Sequence, residues 1–421
     1  MSEKELKRNI RVYPWYRAFD YDFLFLWTIS ILYLTNIKGL SYSQVILLDS
    51  IFMLSAFLLQ IPISKIIEKI GRAKSAQISG FTMLIFSLMY IFCSAPFEFI
   101  LANIIYGIGA SFRNVCDAEI LSITLKRLKK NNEFGKIEGK ALFIYYIVEA
   151  ITAIFAGYMY EYVSPYSPLI GTAIFSGIVI ILAFILKDPV ESEQDIEKLE
   201  KEKDREPSYK TILKRPFIIW MIIFCFCLYG LASMHSSLSK VYLQDIQVPA
   251  YLFGYIFCGF KLLAALASKF QFKYELKRGV RCLIVFSAIT VLGFTACAII
   301  YAINPTATLS IVLMLMIFSL QNISRASYRI AVKNYITVCV SKNSLNKTLS
   351  LYSMAECLGY ATSNILCSIL LKVSNNSYVI TNLGLAGIFA IPLIISTIFY
   401  IRALIKAYTA RCTTIRPDCR E

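Results

Sequence analysis

Charge is scarce in this chain of 421 residues: Asp, Glu, Lys and Arg together make up 17%, against 57% hydrophobic residues. That leaves little polar chain for a soluble catalytic domain. Histidine occurs once, at His235, and tryptophan three times. No Gly-rich phosphate loop, nucleophile elbow or metal-ligand cluster is present, which argues against ATP drive and against the common hydrolase and metalloenzyme chemistries. Cys225 and Cys227 are two apart and so face different ways on a helix, which is wrong for a shared metal. Others, such as Cys116, Cys258, Cys297 and Cys367, read as small apolar residues. We therefore expect no enzyme activity, no cofactor and no metal. A cleavable leader is not expected either, because the first apolar run is too long and follows a charged segment without a small-residue cleavage site.

What the chain has instead is length in its apolar runs. A hydrocarbon core about 30 Å thick needs about 20 apolar residues at 1.5 Å per residue. Twelve stretches qualify: 15–37, 44–67, 76–93, 97–123, 141–160, 170–186, 217–241, 250–270, 282–303, 309–336, 349–371 and 379–404. The predicted fold class is thus all-α, a polytopic membrane protein whose main partner is the lipid bilayer.

Cations crowd into every second connection. The second holds Lys65, Lys69, Arg72 and Lys74, the fourth Lys126, Arg127, Lys129, Lys130 and Lys136, and the eighth Lys269, Lys273, Lys277, Arg278 and Arg281. Odd connections are nearly bare, with Lys38, Lys240 and Lys372 as their only cations near span ends. Cytoplasmic loops retain Lys and Arg, so both termini are predicted inside. The net charge of +16 is then spent at span ends facing an anionic leaflet, not gathered on a soluble face for nucleic acid, which is excluded as a partner. The Lys- and Ile-rich composition resembles that of an AT-rich bacterium and places the chain in a plasma membrane, where a monomer is expected.

Only residues 187–215 have a composition of their own, mixing both charges without apolar periodicity. They divide the chain into 1–186, a charged cytoplasmic linker, and 216–421, each flank holding six spans. The halves echo one another. Lys140, Leu142, Tyr145 and Glu149 enter the fifth span at the same spacing as Lys347, Leu349, Tyr352 and Glu356 enter the eleventh. Parallel repeats of this kind build a known transporter architecture.

The second connection, from Gln60 to Lys74, contains Ser64, Glu68, Lys69, Gly71, Arg72 and Lys74. It resembles the G-x-L-A-D-R-x-G-R-[KR] signature between the second and third helices of the major facilitator superfamily. Ser64 stands for the first Gly, Glu68 for Asp and Lys69 for Arg, and Ala73 interrupts the final basic pair. The resemblance implies two pseudo-symmetric six-helix bundles working by alternating access, with Ser64, Glu68, Gly71, Arg72 and Lys74 as a gating loop. Gly71 would make the tight turn and the acid an ionic latch.

Ions inside a span are costly unless paired or wet, so they mark function. The fourth span holds Arg113, Asn114, Asp117 and Glu119. Arg113 and Asp117 are four apart and can pair along one helix face. The tenth holds Gln321, Asn322, Arg325 and Arg329, the eighth Lys261, and the fifth and eleventh Glu149 and Glu356. Asp20 and Asp22 near the inner end of the first span, and Arg329, also read as residues snorkelling to the interface, and His235 also reads as structural. The resemblance implies that the first, fourth, seventh and tenth helices line the pathway. Arg113, Asn114, His235, Lys261, Gln321, Asn322 and Arg325 are accordingly the expected solute-binding residues. Asp117, Glu149 and Glu356 are the expected proton carriers, because carboxylates in such settings bind protons more readily.

The expected function is secondary active transport of a small organic solute, coupled to protons. The excess of buried cations favours an anionic or zwitterionic cargo, and abundant Phe and Tyr favour efflux of amphipathic compounds. Exporters of the superfamily often carry a Gly-Pro motif in the fifth helix, however, and here Gly157 stands without a proline. Uptake of a nutrient or metabolite by symport is the alternative. A sensor or scaffold that binds solute without moving it is the alternative of another class.

Overall fold

The computed structural model describes residues 3–20, 22–130, 133–189, 208–278, 281–339 and 342–414. Among them there is no strand, and eleven helices are long and apolar enough to cross a membrane. In chain order, leaving aside one turn at Tyr209–Ile212, the helices are α1 (Glu3–Asp20), α2 (Leu26–Leu32, running on as a π-helical turn over Tyr33–Ile37), α3 (Tyr42–Ile70), α4 (Arg72–Phe92), α5 (Pro96–Arg127), α6 (Phe134–Tyr158, running on as a π-helical turn over Met159–Val163), α7 (Ser167–Ile185), α8 (Pro216–Asp245), α9 (Ala250–Arg278), α10 (Arg281–Ile303), α11 (Thr308–Cys339), α12 (Lys342–Val373) and α13 (Tyr378–Thr414). Most of the linker expected at 187–215 lies outside the described residues.

Local chemistry sets the boundaries. Ser41 and Gln44 form a reciprocal cap at the start of α3, the Gln44 N–H donating to Ser41 Oγ and the Ser41 N–H to Gln44 Oε1. Gly71, at φ +92°, makes the abrupt turn into α4 that a side-chain-bearing residue resists. Pro96 and Pro216 open α5 and α8, where a missing N–H costs nothing.

One expected span departs from prediction. The stretch 15–37 is not one helix: α1 stops at Asp20 and α2 starts at Leu26. A broken span at membrane depth is tolerated where other groups satisfy the freed backbone. Here the Arg113 guanidinium donates to the Asp20 carbonyl, and the Asp22 carboxylate accepts the Phe23 N–H at 2.8 Å.

α3, α4, α5 and α7 pack on one another, with α1 against α5, α6 and α7. In the second group α8 lies on α12 and α13, and α11 on α9 and α10. The groups meet mainly where α6 packs on α9 and α3 on α12. At the first of these contacts Ala153 and Gly157 face Ala250 and Gly254. A Cβ on Gly157 would come 2.5 Å from the Ala250 carbonyl oxygen, and one on Gly254 2.6 Å from that of Ala153. Small residues four apart on both helices bring the backbones together.

We call the face bearing the start of α1 and the Gly71 turn basal, and the opposite one distal. Polar ties between the groups gather toward the distal face. Gln244 donates to Thr35 and Asn36 at 2.8 Å, Tyr42 to Asp245 at 3.1 Å, and the Ala250 N–H to Glu161 at 3.0 Å. Ser43 and Ser368 share a hydrogen bond at 2.8 Å.

Candidate solute cavity

A cavity of about 450 Å³ lies between the two groups, walled by the α1–α2 break and by α3, α5, α8, α11 and α12. Its size falls within the range of about 300–1,000 Å³ typical of small-molecule sites. It runs from Lys240 and Asp49 on the distal side toward Gln60 and Arg17. Phe23, Trp27, Phe52, Tyr106, Tyr229 and Tyr360 contribute aromatic surface.

Of the solute-binding residues expected from sequence, Arg113, Asn114 and Arg325 line this cavity, and so does Glu356. Arg113 is only 7% exposed. It donates to the Asp20 carbonyl, lies 3.5 Å from the Tyr106 hydroxyl, and sits over the Tyr106 ring. Glu356 accepts from Tyr352 at 2.5 Å and from Tyr328 at 3.5 Å.

The others lie elsewhere. Gln321 is turned toward α10, donating to the Thr290 carbonyl at 3.3 Å. His235 is buried and shares a 2.8 Å hydrogen bond with Asn322, whose amide also donates to its own helix at Phe318. These contacts lie within the second group, though His235 Nδ1 is buried without a hydrogen-bond partner among the described residues. Lys261 forms an ion pair with the buried Glu149, joining α9 to α6 across the boundary between the groups, and stands 4.1 Å from the Trp27 ring centroid. The Arg329 side chain, expected to snorkel, lies outside the described residues.

The intrahelical pair expected between Arg113 and Asp117 is not formed. Asp117 instead pairs with Arg17, which reaches the basal end of the cavity, at 2.8 Å and accepts from Tyr16 at 3.1 Å; Asp117 itself does not line the cavity. Arg17 also lies 3.6 Å from Glu138, which accepts from Tyr13 at 2.7 Å. Tyr16 is 3.0 Å from Asp20, whose carboxylate takes the Ser79 hydroxyl at 3.3 Å. Asp20 is wholly buried by this network, so it does not snorkel.

The gating loop is also wired differently. Glu68 is exposed, and Lys74 projects to the surface. Arg72 makes the ion pair there, its Nε donating to Glu119 at 2.7 Å while its backbone N–H donates to Asp188 at 2.8 Å. The spacing of the signature therefore places the Gly71 turn and the Arg72 cation, but the acid comes from α5. Ser64 bonds only to its own helix, at the Ile61 carbonyl.

Sequence reasoning missed Lys240, Asp49 and Asp22 as cavity residues. Lys240 falls in the last turn of the apolar run 217–241 and so reads as a cation at a span end. In the fold α8 continues to Asp245, leaving Lys240 only 4% exposed. Its Nζ donates to the Trp27 carbonyl, lies 3.2 Å from Ser30 Oγ and stands 3.8 Å from the Trp27 ring centroid. The available signal was the lack of any second cation beside it, unlike the clustered basic loops.

A family model for the Major Facilitator Superfamily matches residues 18–363. Among solved structures, a point mutant of the nucleoside transporter NupG superposes with a TM-score of 0.73 at 11% identity, covering 94% of this chain and 99% of that one. A bacterial homologue of the human lysosomal transporter Spinster, inward-facing and unoccupied, superposes with a TM-score of 0.67 at 14% identity, covering 96% and 98%. A POT family transporter in complex with 5-aminolevulinic acid gives 0.69 at 13% identity, covering 95% and 96%. No curated protein sequence matches the chain.

Proposed function

The chain belongs to the major facilitator superfamily, and from that premise we propose that it moves a small organic solute by proton-coupled alternating access, with 1–186 and 216–421 rocking about the 187–215 linker. One observation carries this reading: a charged cavity between two helix groups whose polar ties gather at one end. With both termini cytoplasmic, as the loop cations argue, the tied distal face is the outer one. The conformation is then inward-facing, like that of the Spinster homologue.

Protons enter the cycle through Glu149 and Glu356, which hold the same place in the two repeats. A proton on Glu149 would cancel its attraction for Lys261, weakening one link between α6 and α9. Glu356 lies on the cavity wall, where hydration changes as the halves rock. Asp117 drops from the coupling set, since Arg17 and Tyr16 already hold it. Arg113, Arg325 and Asn114 contact the solute from opposite halves.

Purified protein in proteoliposomes with an imposed pH gradient tests this. A panel of anionic, zwitterionic and amphipathic compounds should include solutes that accumulate only with the gradient, and the direction separates efflux from uptake. Glu149→Gln together with Glu356→Gln should abolish gradient dependence; gradient-driven flux unchanged in that double variant would reject the coupling assignment. Binding without flux or counterflow would leave the sensor alternative standing.

A further inference from the structure

The charges on the cavity wall have an arrangement that names a cargo. Four of them lack a partner of opposite sign within ion-pair distance among the described residues: the cations Arg113 and Lys240 and the carboxylates Asp22 and Asp49. Arg113 and Lys240 are more than nine-tenths buried and held by neutral oxygens, the carbonyls of Asp20 and Trp27. Asp22 bonds only to a neighbouring backbone N–H, and Asp49 makes no hydrogen bond to the described residues. All four face the same cavity.

A buried ion without a counter-ion costs several kcal/mol, so proteins pair such groups when they can. This one does so elsewhere, in the Arg17–Asp117 and Lys261–Glu149 pairs. Carbonyl oxygens hold the cavity cations in place without cancelling their charge. Asp49 and Asp22 act on Lys240 through space, yet neither carboxylate reaches it. Charges of both signs on one wall, none of them in ion-pair contact with another, are complementary to a molecule that itself carries both signs. A cargo of one sign would satisfy two of the four and leave the other two facing it with the wrong charge.

We propose that the cavity recognises a zwitterion bearing a protonated amine and a carboxylate on an apolar or aromatic body, with Asp22 and Asp49 reading the ammonium group and Arg113 and Lys240 the carboxylate. This rests on the transporter reading and narrows it. Trp27, Phe52 and Tyr106 line the same cavity and receive the body. Lys240 reaches α2 from α8, so its carboxylate contact spans the two halves and ties occupancy to their approach.

The test is equilibrium binding to the full chain in detergent, followed by thermal shift and isothermal calorimetry. The ligands are amino acids and dipeptides with apolar side chains, each accompanied by two relatives: the amide or decarboxylated amine, which keeps only the positive charge, and the deaminated acid, which keeps only the negative. Zwitterions should bind about 10- to 100-fold more tightly than either relative, the loss expected when a charge-assisted contact is removed. Asp49→Asn should shrink the penalty for the deaminated acid several-fold, and Lys240→Gln that for the amine, Asp22 and Arg113 retaining the remainder, while Asp49→Glu and Lys240→Arg restore discrimination. The conservative pair guards against variants that fail to fold. Preference for ligands of one sign, or discrimination unchanged in Asp49→Asn and Lys240→Gln, overturns the proposal. Zwitterion binding without counterflow in proteoliposomes would instead overturn the transport reading and leave this one standing.

Discussion

Two buried, charged regions lie within a few turns of each other and are built on opposite plans. Around Asp117, every acid has a partner: Arg17 pairs with Asp117 and approaches Glu138, Tyr13 and Tyr16 donate to carboxylates, and Ser79 reaches Asp20. Around the cavity, Arg113 and Lys240 rest on carbonyl oxygens while Asp22 and Asp49 have no cation in contact among the described residues. Burial and charge are common to both regions. What differs is whether the protein itself supplies the counter-charge, and that difference separates a group that holds the fold from one that waits for a ligand.

Breaking the satisfied network should have the largest effect on stability. Asp117→Ala leaves Arg17 only its longer contact with Glu138 at 3.6 Å and is expected to cost about 3 kcal/mol, read as a lowered unfolding temperature in detergent. Replacing both members, Arg17→Met with Asp117→Leu, should recover most of that loss; a double variant as unstable as the single would show that the pair is not what Asp117 contributes.

Next comes the contact that lets the halves close. Gly157→Leu places a side chain where the Ala250 carbonyl already lies 2.5 Å from a Cβ. Such overpacking costs about 1–3 kcal/mol, and it falls only on the distally closed state. A cysteine placed at Gln244 should therefore react faster with a membrane-impermeant thiol reagent from the distal side. Equal labelling rates with and without Gly157→Leu would remove α6 and α9 as the closing contact.

The Arg72–Glu119 ion pair is partly exposed, with side chains 23% and 43% accessible. Arg72→Ala should cost only about 0.2–1 kcal/mol, and less at high salt. A salt-independent loss would mean that the guanidinium acts by packing rather than charge.

The smallest thermal effect is expected in the cavity. Asp49→Asn removes a buried charge that no cation contacts among the described residues, so the unfolding temperature should stay nearly level while flux falls about tenfold or more. A large destabilisation would move Asp49 to the structural side of the comparison.

Membrane spans were legible because lipid demands one signal, an apolar run of fixed length, that no tertiary contact can replace. The exception is instructive. Residues 15–37 have the hydropathy of a span, yet the helix breaks after Asp20, and the break persists because Arg113, from the distant α5, supplies the hydrogen bond. The intramembrane charges were also legible as a set. Their sorting was not, since spacing put Arg113 beside Asp117 and the fold gave Asp117 to Arg17. Lys240 was hidden for a similar reason: in the last turn of a predicted span a lysine reads as an interface cation, whereas α8 continues to Asp245 and brings it under cover from Trp27 and Ser30.

The sequence by itself determined that the solvent is lipid, that the chain crosses it repeatedly, and which residues are too costly to bury without purpose, because transfer free energies belong to single residues and short segments. Tertiary structure alone decided which of those residues meet. Pairing depends on distances of a few ångströms between helices far apart in the chain, and that geometry left four charges at the cavity without partners while giving Asp117 and Glu149 theirs.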